Sequence, residues 1–123
     1  MPLIWNLDKS RPICPQICEQ LCARIAAGQF TPGQRIMSVR EAAVSAGVNP
    51  NTVQRAFEQL EQQGVLYSVR GAGWYVAEND QYAKDMQSNL ADAAVREFFE
   101  KMAALGVDTA QAKNMVKEWE DNG

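Results

Sequence analysis

Apolar positions return at every fourth residue in the run ICPQICEQLCARIAA, residues 13–27, which places Ile13, Ile17, Leu21 and Ile25 on one side. That spacing predicts an amphipathic helix, with Pro15 tolerated in its first turn and Gly28 as its stop. A turn at Thr31-Pro32-Gly33 and an extended Arg35-Ile36-Met37 follow. Ser38-Val39-Arg40-Glu41 has the form of a capping box, in which the Ser38 side chain accepts from the Glu41 amide and Glu41 reaches back to the Ser38 amide. The short helix behind it is expected to bury Val39, Ala42, Ala43 and Ala46, and Gly47 ends it. A new helix opens almost at once, with Asn49 as cap and Pro50 at the first position, and runs to about Gln63. Val53, Ala56, Phe57 and Leu60 form its buried stripe. Asn51, Thr52, Gln54, Arg55, Glu58 and Gln59 therefore lie around the other side. Two helices joined by so short a turn make a helix-turn-helix unit, and a purely structural helical corner has the same pattern.

Val65 to Arg70 reads as a strand, Gly71-Ala72-Gly73 as a tight turn and Trp74 to Val76 as a return strand. A hairpin directly after a helix-turn-helix is the winged variant. The pattern changes around Glu78-Asn79-Asp80, so the expected division is a domain over residues 1–78 and a helical segment over 79–123. In that segment Met86, Leu90, Ala93, Ala94, Phe98, Met102 and Leu105 form a long helical stripe. Gly106 to Thr109 breaks it, Asp108 is the expected cap, and Ala110 to Trp119 gives a last short helix. The expected fold is mainly α, an α+β winged helix-turn-helix with a C-terminal two-helix dimerisation segment.

Charge sharpens this division. The 123 residues carry a net charge of −3. Residues 1–80 hold seven basic and seven acidic side chains, whereas residues 81–123 hold five and eight. A nucleic-acid face is therefore expected in the first part. There is no histidine, the commonest general base and metal ligand. No phosphate loop, paired-carboxylate motif or nucleophile elbow is present, so catalysis, a bound metal and a cofactor are not expected. No apolar run reaches the roughly 18 residues of a membrane span, and MPLIWNLDKSRP does not read as a secretion signal. A cytoplasmic protein is expected.

The second helix of such a unit usually enters the DNA major groove by its N-terminal residues. Asn49 and Pro50 then define the tip, Asn51 and Thr52 hydrogen-bond to bases or phosphate, and Arg55 reaches a guanine edge or a phosphate. Arg70 at the wing is suited to the minor groove, where negative potential draws arginine. Arg35 lies before the capping box and Arg40 within it, so four arginines fall at element edges around one groove. Four are few, which favours binding as a dimer.

The run FTPGQRIMSVREAAVSAGVNPNTVQRAFEQLEQQGVLYSVRGAGWYV, residues 30–76, resembles the winged helix of the GntR family of bacterial transcription regulators. The PG turn, the arginine after it, the Ser-x-Arg helix start, the V-N-x-N-T-V helix and the R-G-x-G wing carry the resemblance. It implies operator contacts from Arg35, Ser38, Val39, Arg40, Asn49, Pro50, Asn51, Thr52, Gln54 and Arg55, and from Arg70, Gly71, Ala72 and Gly73 at the wing. The short remainder is similar to the YtrA-type subgroup, whose two C-terminal helices dimerise. Met86, Leu90, Ala94, Phe98, Phe99, Met102, Leu105, Met115 and Trp119 are the implied pairing residues. The chain departs from the family at Ile36-Met37-Ser38, where Leu-Pro-Ser is usual. It also has Ala72 where a basic residue is common and Trp74 where a small one is. The implied function is a homodimeric repressor on an inverted-repeat operator.

Two features admit other readings. Cys14, Cys18 and Cys22 form a ladder that drifts about 40° per step beside the apolar stripe. Such a ladder suits core packing, and alternatively a metal- or redox-responsive sensor. Phe98, Phe99, Met102, Met115 and Trp119 suit a helix–helix interface, and alternatively a pocket for a small effector of unknown identity. A winged helix that binds protein rather than DNA is compatible with the sequence pI of 4.9.

Overall fold

Short-range hydrogen bonding sets the helix ends. In the computed structural model, which describes residues 5–119, α1 spans Ile13–Ala26, α2 Val39–Ala46 and α3 Pro50–Gln62. The first residues of the N-terminal stretch read for a secretion signal lie outside the described residues. Both halves of the capping box are formed. The Ser38 hydroxyl accepts from the Glu41 amide at 3.0 Å, and the Glu41 carboxylate accepts from the Ser38 amide at 3.4 Å. Gly47 closes α2 at φ 69°, a left-handed conformation that glycine adopts without steric cost. The Asn49 side chain then accepts from the Asn51 amide at 2.8 Å, with Pro50 as the first residue of α3.

Those ends orient the apolar faces inward. Val53, Ala56, Phe57 and Leu60 of α3 join Ile17, Leu21 and Ile25 of α1 and Ala42 and Ala43 of α2 in one core. Val39 and Ala46, expected in the buried set of α2, are only half-buried, because an eight-residue helix turns few positions fully inward. Burying Phe57 alone contributes about 1.5–3 kcal/mol. Its ring meets Trp74 edge-on, with centroids 5.6 Å apart.

The hairpin consists of β1, Leu66–Val69, and β2, Gly73–Val76, antiparallel with Leu66 opposite Val76. A third extended segment lies along β2. Ile36 donates to the Trp74 carbonyl at 2.9 Å, and Val76 donates to the Gln34 carbonyl at 2.9 Å. This covers the free edge of β2 and buries Ile36. An N-terminal arm is tied to the same unit by polar contacts. The buried Gln16 accepts from the Asp8 amide at 2.7 Å and donates to carbonyls of Asp8, Arg11 and Pro12. Trp5 donates to the Ser45 hydroxyl at 2.9 Å, and Lys9 donates to the Gly47 carbonyl at 3.0 Å.

The chain forms two compact units, Met1–Gln87 and Ser88–Gly123. The first therefore extends beyond the 78–80 break, into α4, Gln81–Ala104. Ala83 is fully buried in its core, and Tyr82 and Met86 pack on that core. Met86 had been expected among the pairing residues. A helical stripe identifies which face is apolar and not which partner that face meets, and here the partner changes inside the helix. In the second unit Gly106 ends α4 at φ 85° and the Asp108 side chain caps α5, Thr109–Glu118, accepting from Gln111 at 2.8 Å. Ala112 is buried there, while Leu90, Val95, Phe98, Leu105, Met115, Val116 and Trp119 are exposed. Among the described residues no helix is long and apolar enough to cross a membrane.

Candidate nucleic-acid interface

The tip of α3 is solvent-accessible and internally satisfied. Asn49 spends its side-chain oxygen on the cap, leaving Pro50 and Asn51 exposed beside it and Thr52 half-buried. One turn on, Arg55 is exposed, and Gln54 donates to the Glu58 carboxylate at 2.8 Å. On α2 the Ser38 hydroxyl serves the capping box, Val39 packs half-buried on the core and Arg40 is exposed. The described ion pairs are Arg11–Asp8, Lys84–Asp80 and Lys101–Glu97. Among the described residues Arg35, Arg40, Arg55 and Arg70 thus have no carboxylate partner, and their charge is available to an anionic ligand.

The wing is organised by a contact between residues far apart in sequence. Arg35, read as a DNA contact, donates from Nε to the Ala72 carbonyl at 2.9 Å. Gly73 sits at φ 116°, and a Cβ there would lie 3.2 Å from Arg35 Nε. The guanidinium is thereby packed against the turn, bringing Arg35, Ala72 and Gly73 together. Arg70, Gly71 and Ala72 are exposed. Trp74 does not obstruct the tip, since its ring faces the core against Phe57. Tyr67 and Tyr75, outside the set of residues expected at the site, stack across the hairpin with centroids 5.5 Å apart and planes 17° from parallel. Their direct opposition was legible in the hairpin register.

Of the residues read as pairing residues, Leu90, Ala94, Phe98, Leu105, Met115 and Trp119 are exposed. Phe99 and Met102 are half-buried, and Phe98 meets Phe99 edge-on at 5.2 Å. The cysteines behave as core residues. Cys18 and Cys22 belong to the buried cluster, with Cys14 packed on its margin. Burial, aided by the neighbouring Cys14, pushes the Cys18 thiol up to about 12, and burial pushes Cys22 up to about 11. A thiol held neutral is a poor nucleophile and a poor metal ligand. Among the described residues no cluster of three or more His, Cys, Asp or Glu side chains could hold a metal.

Known proteins carry this arrangement. Residues 15–76 match the family described as bacterial regulatory proteins, gntR family. The chain is 31% identical over 118 residues to an uncharacterized HTH-type transcriptional regulator, YhcF, of Bacillus subtilis, covering 96% of this chain and 98% of that one. It is 41% identical over 70 residues to the HTH-type transcriptional repressor YtrA of the same organism, covering 57% of this chain and 54% of YtrA. A GntR family transcriptional regulator from Listeria monocytogenes superposes with a TM-score of 0.75 at 33% identity, covering 93% of this chain and all of that one. The DNA-binding domain of AraR in complex with operator ORE1 superposes with a TM-score of 0.52 at 32% identity, covering 63% of this chain and 89% of that one. The chain belongs to the gntR family of bacterial regulatory proteins: it is a transcriptional regulator with a winged helix-turn-helix DNA-binding domain, related to repressors, and not an enzyme.

Proposed function

We propose that this regulator is a cytoplasmic homodimeric repressor that binds an inverted-repeat operator. The observation that carries the reading is the tip of α3, where Asn51, Thr52 and Arg55 project from a helix whose end is already capped by Asn49. Because the backbone there is satisfied, these side chains are free to meet base edges and phosphates. Arg40 and Ser38 at the start of α2 supply phosphate contacts, and the turn of Arg70, Gly71, Ala72 and Gly73 approaches the minor groove. Arg35 acts in this scheme through the wing that it clamps as well as through its charge.

Pairing is supported by the second unit, which exposes seven large apolar side chains and buries little besides Ala112. A second copy of the same surface is the partner that closed symmetry offers most directly. The domain division follows: residues up to about Gln87 bind DNA and the remainder pairs the subunits. Two identical α3 helices on one two-fold axis then select two matching half-sites.

The test is a mobility shift with the full chain on genomic fragments that it retains, titrated with salt. Affinity is expected to fall steeply, since each phosphate contact releases condensed counterions and adds nearly one unit to the logarithmic slope. A complex indifferent to salt would contradict DNA as the partner.

A further inference from the structure

A small cavity of about 130 Å³ opens between α1, α3 and the first turns of α4, within the first unit. Pro15, Leu60 and Met86 give it an apolar lining, and Tyr82 contributes an aromatic ring. Glu19 supplies the one charged side chain among the residues that line it, and no lysine or arginine does. The Glu19 carboxylate is half-buried and makes no hydrogen bond or ion pair among the described residues. A half-buried carboxylate without a partner leaves its acceptor oxygens available to a cation.

We propose that this cavity is a binding site for a compact organic ammonium ion, held by Glu19 and Tyr82 with its alkyl part against Pro15, Leu60 and Met86. Size limits the ligand, because a cavity of roughly 150 Å³ accommodates benzene, a molecule of six heavy atoms. An aromatic face and a carboxylate are the two groups that favour alkylammonium, and the thioether and aliphatic walls suit its methylenes. Other cations are served less well by the same lining. A hard metal ion needs about six oxygen ligands, carboxylates foremost, and Glu19 is the one carboxylate in the lining. A soft ion needs a thiolate, yet burial holds Cys18 protonated up to about 12. An anion meets the Glu19 carboxylate and no cationic side chain in the lining.

The location connects the ligand to DNA binding. Gln59 of α3 and Gln63 at its C-cap also line the cavity, and Gln59 already accepts hydrogen bonds from the thiols of Cys14 at 3.5 Å and Cys18 at 3.8 Å. A ligand here therefore touches the C-terminal half of the helix whose tip we assign to the operator, and also the start of α4. Binding itself stands apart from the DNA reading; only its consequence for the operator rests on that reading.

The experiment uses the full chain labelled at methionine methyl groups, with the Met86 signal assigned by Met86→Leu, and no DNA. Tetramethylammonium and n-propylammonium chlorides are titrated against n-propanol and sodium propionate at matched ionic strength. Both ammonium probes should shift the Met86 methyl saturably, and Glu19→Gln should weaken them by about tenfold. Thermal unfolding of Glu19→Gln at the parent temperature confirms that the variant is folded. An unmoved Met86 signal, propanol binding as tightly as propylammonium, or undiminished binding by Glu19→Gln would each overturn the site. Failure of operator binding in the mobility shift would leave this titration unaffected, so the two readings fail separately.

Discussion

The two units of the chain solve the burial problem differently. The first encloses large side chains such as Phe57, Ile17, Leu21 and Leu60 almost completely, and ties its N-terminal arm down with the buried Gln16. The second has sound helix chemistry, with Gly106 ending α4 and Asp108 capping α5, and yet leaves Trp119 at 72% and Leu105 at 78% exposed. Capped helices do not by themselves make a core. A unit that forms its secondary structure and leaves its large apolar side chains in water has little core of its own, whereas the first has the core that independent folding requires.

Substitution in the core gives the largest expected effect. Phe57→Ala removes the ring that joins α3 to Trp74 and should cost about 3–5 kcal/mol. Urea unfolding followed by Trp fluorescence measures it; a loss below about 1 kcal/mol would mean that Phe57 is not central to the first unit. Ending the chain after Gln87, which retains Ala83 and Met86 in the first core, should give a folded monomer with much weaker operator binding. Sedimentation decides this, and a persistent dimer would relocate the interface to the first unit. An earlier cut, at residue 82, would remove the fully buried Ala83 and is expected to destabilise the fragment.

Within the first unit, charge should matter for DNA and little for folding. Arg55→Ala is expected to cost about 1–3 kcal/mol of operator affinity and to relax base preference at one position. Arg40→Ala should weaken all sequences alike and lower the salt slope. Binding unchanged in both variants would remove α3 from the groove. The smallest effect concerns pH. Both buried thiols titrate above their ordinary value of 9.0, so the folded state favours the protonated form. Their contribution is complete below about pH 9 and is lost as pH rises toward 11–12, because the unfolded chain deprotonates first. Thermal unfolding should therefore weaken over this range, and less so in Cys22→Ala.

Elements governed by neighbouring residues were legible in the sequence. The capping box of Ser38 and Glu41, the left-handed Gly47 and the Asn49-Pro50 start are written in residues within one turn of each other. The stripe of Val53, Ala56, Phe57 and Leu60 is similarly local in its periodicity. What escaped depends on contacts between distant residues. Arg35 bonding to Ala72, Trp5 to Ser45 and Lys9 to Gly47 carry no period, and each is made by chain closure. The same holds for Met86 and Ala83, whose spacing in α4 is helical whichever unit they pack against. The site was read as a set of polar groups at helix tips, and the structure divides that set. Asn49, Ser38 and Arg35 hold the framework through hydrogen bonds, and Asn51, Arg55, Arg40 and Arg70 remain exposed.

The central claim is that two copies of the first unit are held in fixed register by the second. Inserting about five base pairs, half a helical turn, between the half-sites of a footprinted operator tests it directly. The two α3 helices would then face opposite sides of the duplex, so the account predicts loss of most of the affinity in a mobility shift with the full chain. Undiminished binding to the lengthened operator would contradict it.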